Sequence, residues 1–141
     1  MDTIKLDLVT PVRRLISTEV EELTAKAFEG EVEILPGHAN YITLLNAGPL
    51  SFTDSGKKRE VAVSGGFMEV SLDHGIRVMA ESAEFAENID VKRAESARER
   101  AERRISDFDP ASQDTDITRA EAALKRALNR LKVAERADLG Q

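Results

Sequence analysis

The sequence predicts an α+β chain in order: an antiparallel β-sandwich or barrel over residues 1–86, then an antiparallel two-helix hairpin over residues 87–141. Three observations carry this. Apolar residues recur every second position through the first half. Seven of the eight glycines precede residue 87, the eighth being Gly140. Beyond residue 87 the chain is rich in Ala, Arg, Glu and Leu, which favour helix.

In the first half Ile4, Leu6 and Leu8 alternate with Lys5 and Asp7, and Val32 and Ile34 alternate with Glu31 and Glu33. Val61 and Val63 flank Ala62, and Ile76 and Val78 flank Arg77. Period two places one set of side chains on a buried face, so these runs read as strands. Turn signals separate them at Glu29-Gly30, Pro36-Gly37, Ala47-Gly48-Pro49, Asp54-Ser55-Gly56, Ser64-Gly65-Gly66 and Asp73-His74-Gly75. No helical stretch lies between, so antiparallel pairing is expected throughout.

The second half opens at Asp90, whose carboxylate is placed to cap a helix. Val91, Ala94, Ala101 and Ile105 then share one helical face. Asp107-Phe108-Asp109-Pro110 ends that helix, because a residue before proline is pushed out of helical geometry. Asp116 caps a second helix with the apolar stripe Ile117, Ala120, Leu124, Leu128 and Leu131. A polar loop from Asp107 to Asp116 joins the two as an antiparallel hairpin.

Composition excludes several functions. Residues 1–86 hold 8 Lys/Arg against 14 Asp/Glu and residues 87–141 hold 12 of each, an imbalance that argues against nucleic acid. There is no cysteine, hence no disulfide and no thiolate metal site. The N-terminus lacks the basic and apolar regions of a signal peptide. No run reaches the ~18 apolar residues of a membrane span, so no direct membrane insertion is expected. Gly56-Lys57 lacks the upstream glycine of a phosphate-binding loop, and Gly65-Gly66 reads as a turn or bulge. His38 and His74 are not at metal-ligand spacing, and no catalytic set stands out.

One constellation is sharper. Arg93, Arg100 and Arg104 are spaced by seven and four, as are Arg119, Arg126 and Arg130. At ~100° per residue each trio lies within about 40° of one line. Ala122, Ala123 and Val133 beside the second trio are small, leaving room for a large anion, and guanidinium forks suit phosphate oxygens. The same stripe also fits a solvated face trimmed by the pairs Glu99–Arg103 and Glu121–Lys125. Six like charges on facing helices repel, which favours a counter-anion.

Several segments resemble the epsilon subunit family of F-type ATP synthases. Glu29-Gly30-Glu31 followed by Leu35-Pro36-Gly37-His38-Ala39 resembles its N-domain signature. Ala47-Gly48-Pro49-Leu50 is similar to its next turn, Val63 to Val70 to the hairpin after it, and Met79 to Glu84 to the close of the sheet. Ile89-Asp90-x-x-Arg93-Ala94, Glu99 to Arg104, and Arg119-Ala120-Glu121 through Glu135 resemble the helical tail. The likeness runs the length of the chain. Glu33 departs from a common glycine, Ala25 to Phe28 replaces a Pro-Gly turn, and the loop between the helices is longer than usual.

The resemblance implies a non-catalytic rotor subunit with a ten-stranded sandwich and a mobile helical hairpin. The sandwich would dock on the gamma subunit and the ring of c subunits, His38 facing gamma and Glu31 the ring. The hairpin would extend towards the alpha and beta subunits of the catalytic head and inhibit ATP hydrolysis. In the ATP-binding members of the family the folded hairpin holds ATP, with or without magnesium. By pattern the matching residues are Glu84, Ile89, Asp90, Arg93, Arg100, Arg119, Arg126 and Arg130. The implied location is the cytoplasmic face of a bacterial plasma membrane, within the proton-translocating complex. Two alternatives accompany this reading: an inhibitory arm without a nucleotide site, and an unrelated β-sandwich interaction module with a helical dimerisation tail.

Overall fold

The computed structural model describes residues 2–111 and 116–139, in two compact units, Met1–Phe85 and Ala86–Gln141. The first holds ten strands. They are β1 Ile4–Val9, β2 Arg14–Val20, β3 Glu22–Ala27, β4 Gly30–Ile34 and β5 Tyr41–Leu45. After these come β6 Gly48–Asp54, β7 Lys57–Val63, β8 Gly66–Ser71, β9 Gly75–Ala80 and β10 Ala83–Phe85. The β-sandwich expected from sequence is therefore present, with the ten strands that the family resemblance implies.

The strands hydrogen-bond in the order β10-β7-β6-β3-β5-β8-β9-β1-β2, with β4 added to β3. The corner is β3, which pairs with β6 through Glu22, Leu23 and Thr24 but with β5 only at Ala27–Leu45. One end of this path folds back on β6. Glu21 N donates to Thr53 O at 2.8 Å, and Thr18 Oγ1 donates to Asp54 Oδ2 at 3.3 Å, bringing the end of β2 to β6 without a full ladder.

Two details differ from the sequence expectation. β1 and β9 run parallel, from Leu6–Ile76 to Val9–Met79. A parallel pair needs a long connection, and here the whole run of intervening strands supplies it, so no helix is required. The segment Val63 to Val70 is not a hairpin: β7 pairs with β6 and β10, whereas β8 pairs with β5 and β9. Ser64-Gly65 instead carries the chain from one layer to the other. Gly66 enables the landing, at φ 144°, because a Cβ there would fall on the carbonyl of Met79.

Inward residues of nearly every strand make one core: Leu6, Leu8, Val20, Leu23, Ile34, Leu50, Phe52, Val61, Met68, Val70, Ile76 and Val78 are at most 1% exposed. The alternation in the sequence reports this face correctly. At β7 it is incomplete, since Ala62 is buried as well as Val61 and Val63, being flanked by the paired Pro49 and Glu84.

In the second unit a short 3-10 helix, Ala86–Asn88, precedes α1, Val91–Ser106, and α2, Ile117–Leu139. Asp90 caps α1, its Oδ1 accepting from Arg93 N at 3.1 Å, and Asp116 caps α2, accepting from Arg119 N at 3.2 Å. α1 stops at Asp107, as expected from Pro110. Positions 112–115 of the expected loop lie outside the described residues.

The apolar face is shifted from the expected stripes. Ala94 and Ala101 on α1, and Ala120, Ala127, Asn129, Val133 and Ala134 on α2, are the buried residues, whereas Leu128 is 46% and Val91 41% exposed. Ile105, Ile117, Leu124 and Leu131 are half-buried. Methyl side chains let two backbones approach closely, so alanine takes the seam and the larger side chains are left to its flanks.

Candidate functional site

The seam fixes where the arginines go. On each helix the trio lies ~90° round from the two seam alanines, in the same rotational sense along the chain. For antiparallel helices facing each other, equal rotation from the seam directs both trios to the same side. α1 and α2 pack against each other along their length, so the six guanidinium groups border one face of the hairpin.

On that face a cleft of about 560 Å³ is lined by Arg104, Asp116, Arg119, Ala120, Ala122, Ala123 and Arg126. The volume is within the ~300–1,000 Å³ of small-molecule sites. Ala122 and Ala123 supply the space, as their size suggests. Among the described residues Arg93, Arg100, Arg104, Arg119 and Arg126 make no side-chain ion pair. The pair that forms on α1 is Arg98–Glu102 at 3.3 Å, while Glu99–Arg103 and Glu121–Lys125 do not close within 4 Å. Three guanidinium groups around one hollow, with a single carboxylate already engaged as a cap, make an anion-selective surface.

The structure distributes the eight expected nucleotide residues unevenly. Arg119 and Arg126 line the cleft. Arg93 and Arg100 are exposed and Arg130 half-buried on the same stripe, outside the cleft lining. Asp90 is committed to the backbone of Arg93, and Ile89 is buried at 9% exposure. Glu84 belongs to the sandwich unit, in β10 opposite Ala62, half-buried. The cleft adds Arg104, which is in the stripe but not in the family pattern, and Asp116, which sequence suggests only as a cap. The mirrored seven-four spacing is the signal that finds Arg104.

In the sandwich Glu31 is exposed on β4, opposite Lys26. His38 follows β4, its Nδ1 2.7 Å from the carbonyl oxygen of Ala39 and its ring centroid 5.8 Å from that of Tyr41. With His74 it borders a hollow of about 360 Å³. No group of three or more His, Asp or Glu able to hold a metal occurs among the described residues.

A second surface escaped the sequence reading. Leu44 on β5, Phe67 on β8 and Met79 on β9 face one another across the ladder and are 62%, 38% and 41% exposed. Val9 on β1 extends the row beside Met79, and Ile42, 68% exposed, sits two residues from Leu44. Beside this row, Asp7, Arg77 and Glu69 alternate in charge across the same strands. The signal was the run from Tyr41 to Leu45, apolar at four of five positions and thus not alternating.

Comparison with known proteins identifies the family of both domains. The family model for the ATP synthase delta/epsilon chain β-sandwich domain matches residues 3–86, and that for the delta/epsilon chain long alpha-helix domain matches residues 87–135. The ATP synthase epsilon chain of Bacillus subtilis is 46% identical over 134 residues, 95% of this chain and 98% of its own. That of Pelotomaculum thermopropionicum is 51% identical over 104 residues, 74% of this chain and 77% of its own. Among solved structures, a chain of the Euglena gracilis mitochondrial ATP synthase (OSCP/F1/c-ring, rotational state 1) superposes with a TM-score of 0.77 at 27% identity, covering 97% of this chain and 81% of that one. A chain of the Tetrahymena thermophila mitochondrial ATP synthase shares the fold, at a TM-score of 0.56 and 18% identity over 96% of both chains. The chain thus belongs to the ATP synthase delta/epsilon family, as a non-catalytic epsilon subunit of the bacterial type.

Proposed function

We propose that this subunit sits in the central stalk of a proton-translocating ATP synthase, joins the gamma subunit to the c-ring through its sandwich, and senses ATP through its helical hairpin. The exposed row Leu44, Phe67 and Met79, continued by the half-buried Val9, supports the docking half, because a contiguous apolar band on an outer sheet face favours a partner. His38 towards gamma and Glu31 towards the ring follow the family pattern. On this reading the complex lies at the cytoplasmic face of the bacterial plasma membrane and the subunit reaches it through its partners; no described helix is long and apolar enough to cross a bilayer.

The observation that carries the sensing half is the cleft with Arg104, Arg119 and Arg126 on its wall and no ion-pair partner for them among the described residues. A triphosphate supplies that counter-charge. ATP bound only to the closed hairpin stabilises it by RT ln(1 + [ATP]/Kd), about 2.7 kcal/mol at a hundred times Kd. When ATP falls, the hairpin opens, reaches the alpha and beta subunits of the catalytic head and inhibits hydrolysis. The subunit itself turns over no substrate.

The test is ATP hydrolysis by the reconstituted enzyme at rising ATP, with the wild-type subunit and with Arg119→Ala/Arg126→Ala. Relief of inhibition should follow ATP in the wild type and move to higher ATP in the variant. Inhibition that ignores ATP in both would leave an inhibitory arm without a nucleotide site. Absence of inhibition by either would remove the arm as well.

A further inference from the structure

The apolar row on the outer sheet face has a direction, because it ends in charge of opposite sign. Across the ladder it begins at Arg14, which pairs with Val9, and Val9 pairs with Met79. Met79 pairs with Phe67 and Phe67 with Leu44. Phe28, 67% exposed, ends it, its N donating to Leu44 O at 2.9 Å. With neighbouring strands ~4.8 Å apart, the strip from Arg14 to Phe28 is about 24 Å long.

At one tip Arg14 is joined by Arg13 and by Val12, all exposed, in and after the β1–β2 turn. At the other, Phe28 is followed by Glu29 in the β3–β4 turn and by Glu31 on β4, both exposed. Lys26, opposite Glu31, lays its methylene chain along Gly48. None of Arg13, Arg14, Glu29 and Glu31 makes a side-chain ion pair among the described residues. The strip is therefore basic at one tip, apolar along its middle and acidic at the other.

Such a strip is complementary to itself. A two-fold axis lying in the interface, along the strands between Met79 and Phe67, reverses it end for end. Met79 then meets Phe67 of the second copy, Val9 meets Leu44 and Arg14 meets Phe28. Thioether against aromatic ring and guanidinium over aromatic face are both favourable pairings. Arg13 comes to Glu29 and Glu31 of the second copy.

We infer that the free subunit pairs with a second copy of itself through this strip. One narrow band on a single sheet face suits a weak, reversible dimer. The net charge of −6 opposes it at long range, but ~0.15 M salt screens charges more than ~8 Å apart and spares the touching tips. On the docking reading gamma takes the same strip, so pairing and assembly exclude each other; the pairing itself does not rest on that reading.

Sedimentation of the full chain from about 5 to 500 μM tests it, and the wild type should pass from monomer to dimer. Arg13→Glu/Arg14→Glu and Glu29→Lys/Glu31→Lys should each raise the dimer Kd at least ~tenfold, with Tm unchanged. The second pair of changes reduces the net negative charge, so repulsion between whole molecules would give the opposite result. An equimolar mixture of the two variants should dimerise again, to within about threefold of the wild type, because each reversed tip meets its opposite. A wild type that stays monomeric overturns the inference, as does a dimer that either reversal leaves intact, or a mixture that stays monomeric. Added gamma should displace the second copy. A complex that keeps both copies supports the pairing and takes gamma's site off the strip.

Discussion

Removing a single guanidinium from the cleft gives the most direct measure of the sensing proposal. Arg126 lines the hollow beside Ala122 and Ala123 and makes no ion pair within the described residues. A charge-assisted hydrogen bond to phosphate contributes ~1.5–3 kcal/mol where water is excluded. Arg126 is exposed, so solvent screening pushes the value to the low end. A loss of about 1.4 kcal/mol, or tenfold in Kd, is expected for Arg126→Ala. Arg126→Lys keeps the charge but not the planar fork and should fall between, roughly threefold. Arg103→Ala is the control, because Arg103 borders a different hollow with Glu99, Glu102 and Ser106. It should change Kd less than about twofold, the residual being long-range charge. Isothermal titration of the full chain with ATP at fixed ionic strength reads all three. Equal losses for Arg103→Ala and Arg126→Ala would reduce the effect to net charge, and an unchanged Kd for Arg126→Ala would exclude the cleft as the phosphate site.

Other expectations concern folding and docking. Gly66→Ala drives a methyl into the Met79 carbonyl and should cost about 2–3 kcal/mol, seen as a fall in Tm, whereas Gly37→Ala, with open space around it, should cost nearer ~1 kcal/mol. Phe52→Ala, 1% exposed at the core, should destabilise the sandwich by about 3–5 kcal/mol in denaturant titration. Asp90→Ala removes the acceptor of Arg93 N and should lower helical stability by ~1 kcal/mol, visible as faster amide exchange in the first turn of α1. Phe67→Ser/Met79→Ser should abolish co-purification with gamma while lowering Tm less than Phe52→Ala does, because Phe67 and Met79 are about two-fifths exposed and Phe52 is 1% exposed; retained co-purification would move the docking surface elsewhere.

What the sequence disclosed followed from locality. Alternation at Ile4, Leu6 and Leu8 names a strand and its buried face because both depend on neighbours two residues away. The partner of that strand depends on residues some seventy positions on, and nothing local announces that β9 runs parallel to it. The same limit made Val63 to Val70 read as a hairpin, since two strands with a Gly-Gly between them look alike whether the chain turns back or changes layer. In the tail, hydropathy selected leucines and isoleucines, while packing buried Ala94, Ala101, Ala120, Ala127 and Ala134 with Val133, because closeness of approach outweighs the size of each contact. The arginine stripe survived that error. Its spacing is periodic and does not depend on which face meets the other helix. The convergence of Arg104 with Arg119 and Arg126 needed the antiparallel fold, which the loop signals supplied.

The alanine seam has a consequence for how strong a regulator needs to be. A methyl group withdrawn from water contributes about 0.8 kcal/mol, so the five buried alanines of the two helices together contribute only ~4 kcal/mol. Leucines in their place would grip several times harder, and no metabolite at ordinary cellular excess could then decide whether the pair stayed shut. On the sensing proposal, a weak zip leaves the decision to a small molecule.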